Sequence, residues 1–512
     1  MRTCLVYPNF RGELVPSLGL AALATHVNRK HEVKLLDVTF HAHDWKEYLR
    51  NSVGRFKPGV VGFSCLTFNF QKALEFAAYL KAHFPGIKVI FGGIHPTLMP
   101  DETISHQQVD AVCLGDGEET LTEYLDRVEA GEALDGLLGL WFKDDEGNVH
   151  RNPPRPLLGD LDSLPFVDWS LWDIKRYVDN PAVRGELPLM FSRGCPYRCS
   201  FCSNEALEAS TEGRYYRTMS PYRAIAEIKH QIAVLGPVVK GFYFWDDVFF
   251  LNPRQFRQFC ELYVAEGLHV KYPWTCNTRV NLVTDDWAAT AYRAGCYKVR
   301  LGVEAGNDAI RNLVLEKGIS TEQVRRAREV LKRHDLLVRF NVILGSPGET
   351  LRTMRESVRL VRELKPETFF FSIFQPLPRT KVLRLLPRLC GATDDEKWKR
   401  NFNFWQKSLV STKWLGSKDV ERFRNRVLLR IALQFALKGL AARRVGFLRD
   451  VVRFVGRDRV RFALNAWMLA VVTLHNYEKE AWLERRRAWL AKQGARSRAA
   501  PVPGQILRKA GR

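Results

Sequence analysis

The sequence predicts an α/β protein: a doubly wound parallel sheet, then a partial (β/α)6 barrel, then a helical C-terminal region. Three observations carry this prediction. Over residues 1–130 short β-rich runs alternate with helical stretches, and the runs are too continuously apolar to leave one face wet. From Leu187 to about Phe374 a second series of six strand–helix units follows. Beyond Ser411, Leu429, Leu433, Ala436 and Leu440 recur at helical spacing.

The first sheet is expected from strands Thr3–Tyr7, Val33–Asp37, Val60–Ser64, Lys88–Phe91 and Ala111–Leu114, with helices at Leu18–Arg29, Gln71–His83 and Thr120–Glu129. Ligands of such sheets bind beyond the carboxyl ends of the strands. There the chain carries Ser64-Cys65-Leu66-Thr67, then Gly92-Gly93-Ile94-His95-Pro96-Thr97, then Gly115-Asp116-Gly117-Glu118-Glu119. Glycines at these positions let backbone approach a bulky ligand. The stretch Asp144–Trp172, with Pro153, Pro154, Pro156 and Pro165, lacks periodicity and reads as a linker. Barrel strands are expected near Leu187–Ser192, Gly241–Trp245, Trp274–Thr278, Lys298–Val303, Val338–Ile343 and Thr368–Phe374, with chemistry at their C-terminal ends.

Composition narrows the class. The 512 residues are 46% hydrophobic and 26% charged, which excludes a disordered or fibrous chain and allows two or three domains. Lys and Arg number 78 against 56 Asp and Glu, a net of +22. Residues 411–512 hold 24 of those cations and 7 acids, a net of +17, so the first 410 residues are nearly balanced at +5. Met1 to Tyr7 leads straight into a strand with no apolar signal core, which predicts no secretion. The longest apolar run, Phe462–Leu474, is 13 residues and contains Asn465, so no membrane span is expected.

Ten cysteines are mostly scattered, as buried thiols in a reducing cytosol would be. Three cluster: Cys195, Cys199 and Cys202, spaced C-x3-C-x2-C just after the first predicted barrel strand. Three thiolates in a short loop can hold three irons of a cubane cluster and leave the fourth iron open to a ligand. A zinc site wants a fourth Cys or His at matching spacing, and none lies near.

That triplet, with Phe201 inside it, resembles the signature of radical S-adenosylmethionine (SAM) enzymes. Phe244-Trp245-Asp246-Asp247, Asn277-Thr278-Arg279, Leu301-Gly302-Val303-Glu304-Ala305-Gly306 and Gly345-Ser346-Pro347-Gly348-Glu349-Thr350 are similar to segments of the subgroup with an N-terminal cobalamin-binding domain. So are Pro16-Ser17-Leu18-Gly19-Leu20 and the glycine-containing segments after the N-terminal strands. The resemblance covers about residues 1–385. It implies a Rossmann-like cobalamin domain at 1–143, a linker at 144–182, a radical SAM barrel at 183–385, a basic helical domain at 386–493 and a disordered tail at 494–512.

The implied cofactors are a [4Fe-4S] cluster on Cys195, Cys199 and Cys202, SAM, and cobalamin. For SAM the resemblance and chemistry point to Phe201 against the adenine, Asp246 or Asp247 for the ammonium, Arg279 for the carboxylate, and Glu304 for ribose hydroxyls or the ammonium. Each has a plainer alternative: core packing for Phe201, a helix cap or surface pair for the aspartates, and an Arg279–Glu304 ion pair. Ser64, Thr67, Gly92, Gly93, His95, Gly115, Gly117 and Glu118 are the implied cobalamin contacts. No D-x-H-x-x-G segment is present, so a lower cobalt ligand is not supplied by that motif, and His95 is read as shaping the loop. The implied reaction is methylation of an unactivated carbon through a 5′-deoxyadenosyl radical and methylcobalamin. Alternatives are a ring-forming or carbon-coupling reaction with the same cofactors, or a non-catalytic SAM- or cobalamin-sensing protein.

The implied partners are a small-molecule, lipid, tetrapyrrole or natural-product substrate and an external one-electron donor such as flavodoxin or ferredoxin. The C-terminal arginines, including Arg485-Arg486-Arg487, are interleaved with Trp467, Trp482 and Trp489. They read as a solvated helical cap or as peripheral contact with an anionic membrane, with nucleic acid the least favoured partner. The expected location is the cytoplasm or the inner membrane surface. Phe369, Phe370, Phe371, Phe374 and Trp414 are candidates for core packing or an apolar substrate cavity.

Overall fold

The computed structural model describes residues 1–10, 15–179, 185–386, 408, 415–441 and 478–493. The predicted tail at 494–512, the apolar run Phe462–Leu474, Trp414, Trp467 and much of the basic region lie outside the described residues.

In the N-terminal sheet β1 (Arg2–Tyr7), β2 (Glu32–Asp37), β3 (Val60–Ser64), β4 (Lys88–Gly92) and β5 (Ala111–Cys113) are parallel. Strands β6 (Leu140–Lys143) and β7 (Val149–Arg151) extend it antiparallel, giving the order β2-β1-β3-β4-β5-β6-β7. Alternation along the strands fills both faces. Leu5, Val60, Ile90 and Ala111 join the core of helices Leu18–Val27 and Glu118–Ala130, whereas Cys4, Val6, Val61, Phe63, Val89 and Phe91 join that of helices Trp45–Phe56 and Phe70–His83. Helix Trp45–Phe56 and the β6–β7 hairpin are not expected from the sequence. The hairpin is short, its turn Asp144–Asn148 is polar, and β7 lies inside the stretch read as linker.

That stretch is packed rather than loose. Trp169, Trp172 and Tyr177 sit in the same core as both sheets. The Tyr177 hydroxyl lies 2.6 Å from Asp37 Oδ2, and the Val167 amide donates to Glu227 at 3.1 Å.

The second sheet is all parallel. After β8 (Glu186–Leu189) the chain leaves it to form a ribbon of β9 (Ser192–Arg193) with β10 (Arg217–Thr218). Five further strands follow: β11 (Gly241–Phe244), β12 (Trp274–Thr278), β13 (Cys296–Glu304), β14 (Leu337–Leu344) and β15 (Thr368–Ile373), giving the order β15-β14-β13-β12-β11-β8. The predicted first strand ends early. The Asp246 carboxylate accepts from the Phe191 amide at 2.9 Å and the Ser192 hydroxyl at 2.5 Å, drawing the chain out of the sheet. Residues 299, 301 and 303 of β13 pack into the helix-facing core, so 298, 300, 302 and 304 line the lumen.

A helix over residues 478–493 closes the barrel at the N-terminal ends of its strands. Lys479 Nζ lies 2.6 Å from Glu186 Oε1, which also accepts from the Tyr297 hydroxyl. Trp482, 1% exposed, packs with Tyr297 and Leu337 and donates to the Asp335 carbonyl at 2.9 Å. Arg485 forks onto the Asp335 carboxylate, and Arg486 donates to the Arg293 carbonyl and stacks on Tyr292 and Trp489. Trp482→Ala is therefore expected to cost about 3 kcal/mol and lower the thermal midpoint of the full chain. An unchanged midpoint would show that this helix is not part of the folded body.

Candidate active site between the two sheets

The cysteine loop springs from β9 at the mouth of the barrel. Cys199 is buried, whereas Cys195 and Cys202 are partly exposed. Burial, outweighing backbone hydrogen bonds that act the other way, pushes the Cys195 thiol up to about 11 and Cys202 to about 12. Cys199 contributes to both shifts, so the three thiols lie within electrostatic range of one another. Among the described residues no three His, Cys, Asp or Glu side chains converge as ligands of a single metal ion. A cluster does not require that, because each thiolate takes a different iron.

Around the thiols the polar groups are ordered. Asn204 donates to Cys202 Sγ at 3.4 Å and to Asp247 at 3.0 Å, and its own oxygen accepts from the Tyr215 hydroxyl at 2.6 Å. Arg279 directs a guanidinium N–H at Cys199 Sγ, 3.6 Å away, and its Cζ lies 4.1 Å from the Tyr197 ring centroid. Glu304 pairs with Lys317 at 2.8 Å, not with Arg279. Lys317 is missing from the sequence-based site. Burial would lower its pKa, but the Glu304 carboxylate and the Cys199 thiol raise it.

Glu304 is held at φ 63°, the left-handed region that an L-residue adopts at a cost. Gly302 makes room for its carboxylate, since a Cβ there would sit 2.2 Å from Glu304 Oε1. The Arg311 guanidinium, fully buried, braces the following loop by donating to the carbonyls of Val303 and Ala305. Phe201 packs against two small cores, one containing Phe374 and Val382 and the other Ala305 and Leu315.

Asp246, 1% exposed, turns inward. Its Oδ1 braces the start of the cysteine loop, its Oδ2 is buried without a partner, and burial raises its pKa to about 6. Asp247 alone of the two aspartates faces the thiols.

The predicted crevice residues meet at the ends of β3, β4 and β5. Gly93, at φ 95°, lies against Cys65, and a Cβ there would approach its backbone to 2.9 Å. Gly92 accepts from the Cys65 amide and the Ser64 hydroxyl lies beside Gly93. His95, 3% exposed, contacts Thr67 Oγ1 through Nδ1 at 3.2 Å and tilts over Phe70, while Nε2 is buried without a hydrogen-bond partner. Thr97 accepts from the Gly115 amide at 3.1 Å. Gly117 packs beside Leu23 and opens helix Glu118–Ala130.

Glu118 does something the sequence does not suggest. Its carboxylate receives both terminal nitrogens of Arg193, at 2.5 and 3.2 Å, and Asp116 takes Arg193 at 3.1 Å and also pairs with Arg217. This buried clamp joins the crevice loop to β9 and β10, which carry the cysteine loop. Helix Ile94–Leu98 also packs against helix Ser203–Glu208, which follows the third cysteine.

Comparison with known proteins accords with this geometry. Residues 10–125 match the B12 binding domain and residues 189–361 the radical SAM superfamily. The chain is 30% identical over 372 residues to an uncharacterised methyltransferase of Pyrococcus horikoshii, a match covering 72% of this chain and 78% of the relative. It is 27% identical over 411 residues to the anaerobic magnesium-protoporphyrin IX monomethyl ester cyclase of Rubrivivax gelatinosus, covering 78% and 72%. Its fold is similar to that of the radical SAM methyltransferase TsrM of Kitasatospora setae, with a TM-score of 0.63, 20% identity and 76% of each chain covered. Fold and site together define an iron–sulfur enzyme of the radical SAM superfamily. More particularly, the chain belongs to the radical SAM family that carries an N-terminal cobalamin-binding domain.

Its cofactors are a [4Fe-4S] cluster, SAM and cobalamin. The residues present fit them: three neighbouring thiols on one loop, an Arg279 Nε buried without a partner beside Cys199, and a glycine-lined crevice facing that loop.

Two outcomes follow. Arg193→Gln strands Glu118 without its cation, and the melting midpoint is expected to fall by the equivalent of about 3 kcal/mol; a wild-type melt would show that the clamp contributes no stability. Burial, then His106, depresses His95 from 6.5 to about 4. Stability is then complete above pH 6.5 and lost as pH falls toward 4, by about 3 kcal/mol in all. His95→Gln should flatten that slope in urea titrations, and an unaltered slope would assign it to other groups.

Proposed function

We propose that this enzyme methylates an unactivated carbon of a small-molecule substrate of the lipid, tetrapyrrole or natural-product type. The observation that carries the proposal is the Asp116/Glu118–Arg193/Arg217 clamp, which holds the crevice loop against the cysteine-bearing ribbon within one chain. When bound, the cluster and SAM supply a carbon radical able to take hydrogen from an unactivated carbon, and cobalamin supplies a methyl group.

The remaining tasks fall to the protein. Cys195, Cys199 and Cys202 hold the cluster, with Asn204 orienting Cys202. Arg279, fixed over Tyr197, meets the SAM carboxylate, and Asp247 meets the ammonium. Glu304, held by Lys317, accepts from the ribose hydroxyls, and Phe201 walls the adenine. Asp246 positions the loop by bracing Phe191 and Ser192. Ser64, Thr67, Gly92, Gly93, His95, Gly115 and Gly117 shape the cobalamin crevice, and Glu118 serves it through Arg193. Phe374 and Val382 keep water and stray hydrogen donors out. Electrons come from an external one-electron donor such as flavodoxin or ferredoxin.

The nine described cysteines are free, in keeping with a cytoplasmic protein. Among the described residues no helix is long and apolar enough to cross a membrane.

The second reading, ring formation without net methylation, is favoured by the likeness to the cyclase. Anaerobic reconstitution separates the two. Reduced, cobalamin-loaded enzyme should convert SAM to S-adenosylhomocysteine as well as 5′-deoxyadenosine, and Cys199→Ala should abolish the latter. Absence of S-adenosylhomocysteine would reject methylation, and failure to cleave SAM at all would revive a sensing role.

A further inference from the structure

Below the mouth of the barrel lie two adjacent arginines. Parallel pairing of β13 with β14 sets Arg300 directly beside Arg339, and both occupy lumen positions. Among the described residues neither has a carboxylate within ion-pair distance. Arg300 lies 3.5 Å from the centroid of the Tyr243 ring and Arg339 5.2 Å from that of Phe370, and the Nε of each is buried with no hydrogen-bond partner. The Thr275 and Thr368 hydroxyls, at lumen positions of the neighbouring strands, are also buried and unpartnered.

Three acids of the barrel are committed elsewhere: Glu304 to Lys317, Glu186 to Lys479 and Tyr297, and Glu367 to Arg328 and the Val338 amide. Burial and then Arg300 lower Arg339 to about 10, as expected where no anion compensates. Like charges directly opposite on adjacent strands destabilise a sheet, so this pair is a local cost with no structural return among the described residues.

We propose that Arg300 and Arg339 bind the anionic group of the substrate, a carboxylate or phosphoryl, and that the substrate is an organic acid with an apolar body. Guanidinium forks match either oxyanion. Arg300 is four residues from Glu304 along β13, about 13 Å of strand, so the anion is seated deep while the rest of the molecule points toward the cysteine loop. Tyr243, Trp245 and Phe370 flank that path with aromatic surface. The inference rests on the reading above only in treating the ligand as substrate.

The test is thermal melting of the full chain with benzoate or phenyl phosphate against chloride at equal ionic strength. The better of the two probes should raise the midpoint by about 2 °C, and the preference between them identifies the oxyanion. Arg300→Gln and Arg339→Gln should each lose that shift while melting no lower than wild type in chloride; Arg325→Gln, on the exposed surface, should keep it. No anion-specific shift, its retention in both variants, or a lower chloride midpoint in both would overturn the proposal. Reconstituted Arg339→Gln should still cleave SAM to 5′-deoxyadenosine; loss of that reaction would put the arginines on SAM and also overturn it. An anion response without S-adenosylhomocysteine would leave the site and remove the methyltransferase reading, whereas the reverse would remove the site alone.

Discussion

The relative position of the two cofactor regions depends on one guanidinium. Arg193 stands two residues before Cys195, in the short ribbon that starts the cysteine loop, and its nitrogens are divided between Asp116 and Glu118 at the end of β5. Burial by itself would lower the Arg193 pKa, but the two carboxylates raise it above the ordinary arginine value. Asp116 responds in kind: burial pushes it up, and Arg193 with Arg217 more than reverses the shift. Desolvating three such groups gains little net stability over an apolar contact of equal size. What the arrangement adds is geometric exactness, because a planar fork accepts carboxylates in few orientations. The barrel can therefore shift against the N-terminal sheet only by breaking charge pairs in a poorly solvated interface.

The rest of the site follows from how β8 ends. Asp246, from the end of β11, captures Phe191 and Ser192 and pulls the chain out of the sheet just before Arg193. The cysteine loop is thus bounded by an internal carboxylate on the barrel side and by the clamp on the crevice side. Its far end is tied as well, through the Ser200 amide to the Leu315 carbonyl and the Val382 amide to the Ser200 carbonyl. A loop restrained at three points can hold thiols near one another although burial disfavours the ionised forms of Cys195 and Cys202.

Strand positions were legible in the sequence because buried parallel strands are continuous apolar runs. Val60–Ser64 and Trp274–Thr278 are found at the predicted residues. The cysteine triplet was legible because its chemistry demands close spacing. Pairings across the chain were not. Arg193 and Glu118 are 75 residues apart, and nothing local distinguishes either from a surface charge. Lys317 lies 13 residues from Glu304 in a segment with no motif, yet it takes the carboxylate that the plainer of two sequence readings paired with Arg279. The proline-containing linker misled for a related reason: prolines suppress periodicity, but Trp169, Trp172 and Tyr177 are placed by contacts with residues far away in sequence.

The same distinction governs the basic C-terminal region. Counting charge makes residues 411–512 a +17 segment, and Arg485-Arg486-Arg487 looks like its most cationic point. In the fold, Arg485 is matched by the Asp335 carboxylate, Arg486 is buried against the Arg293 carbonyl and three aromatic rings, and Arg487 alone of the three is exposed without such an anchor. Trp482, which at a membrane surface would sit among lipid headgroups, is instead buried at the closed end of the barrel. An arginine run reports a binding surface only to the extent that its guanidiniums lack partners in the fold. By that measure the run offers Arg487 to the surface, while Arg300 and Arg339, which have no carboxylate within ion-pair distance among the described residues, face the interior of the barrel.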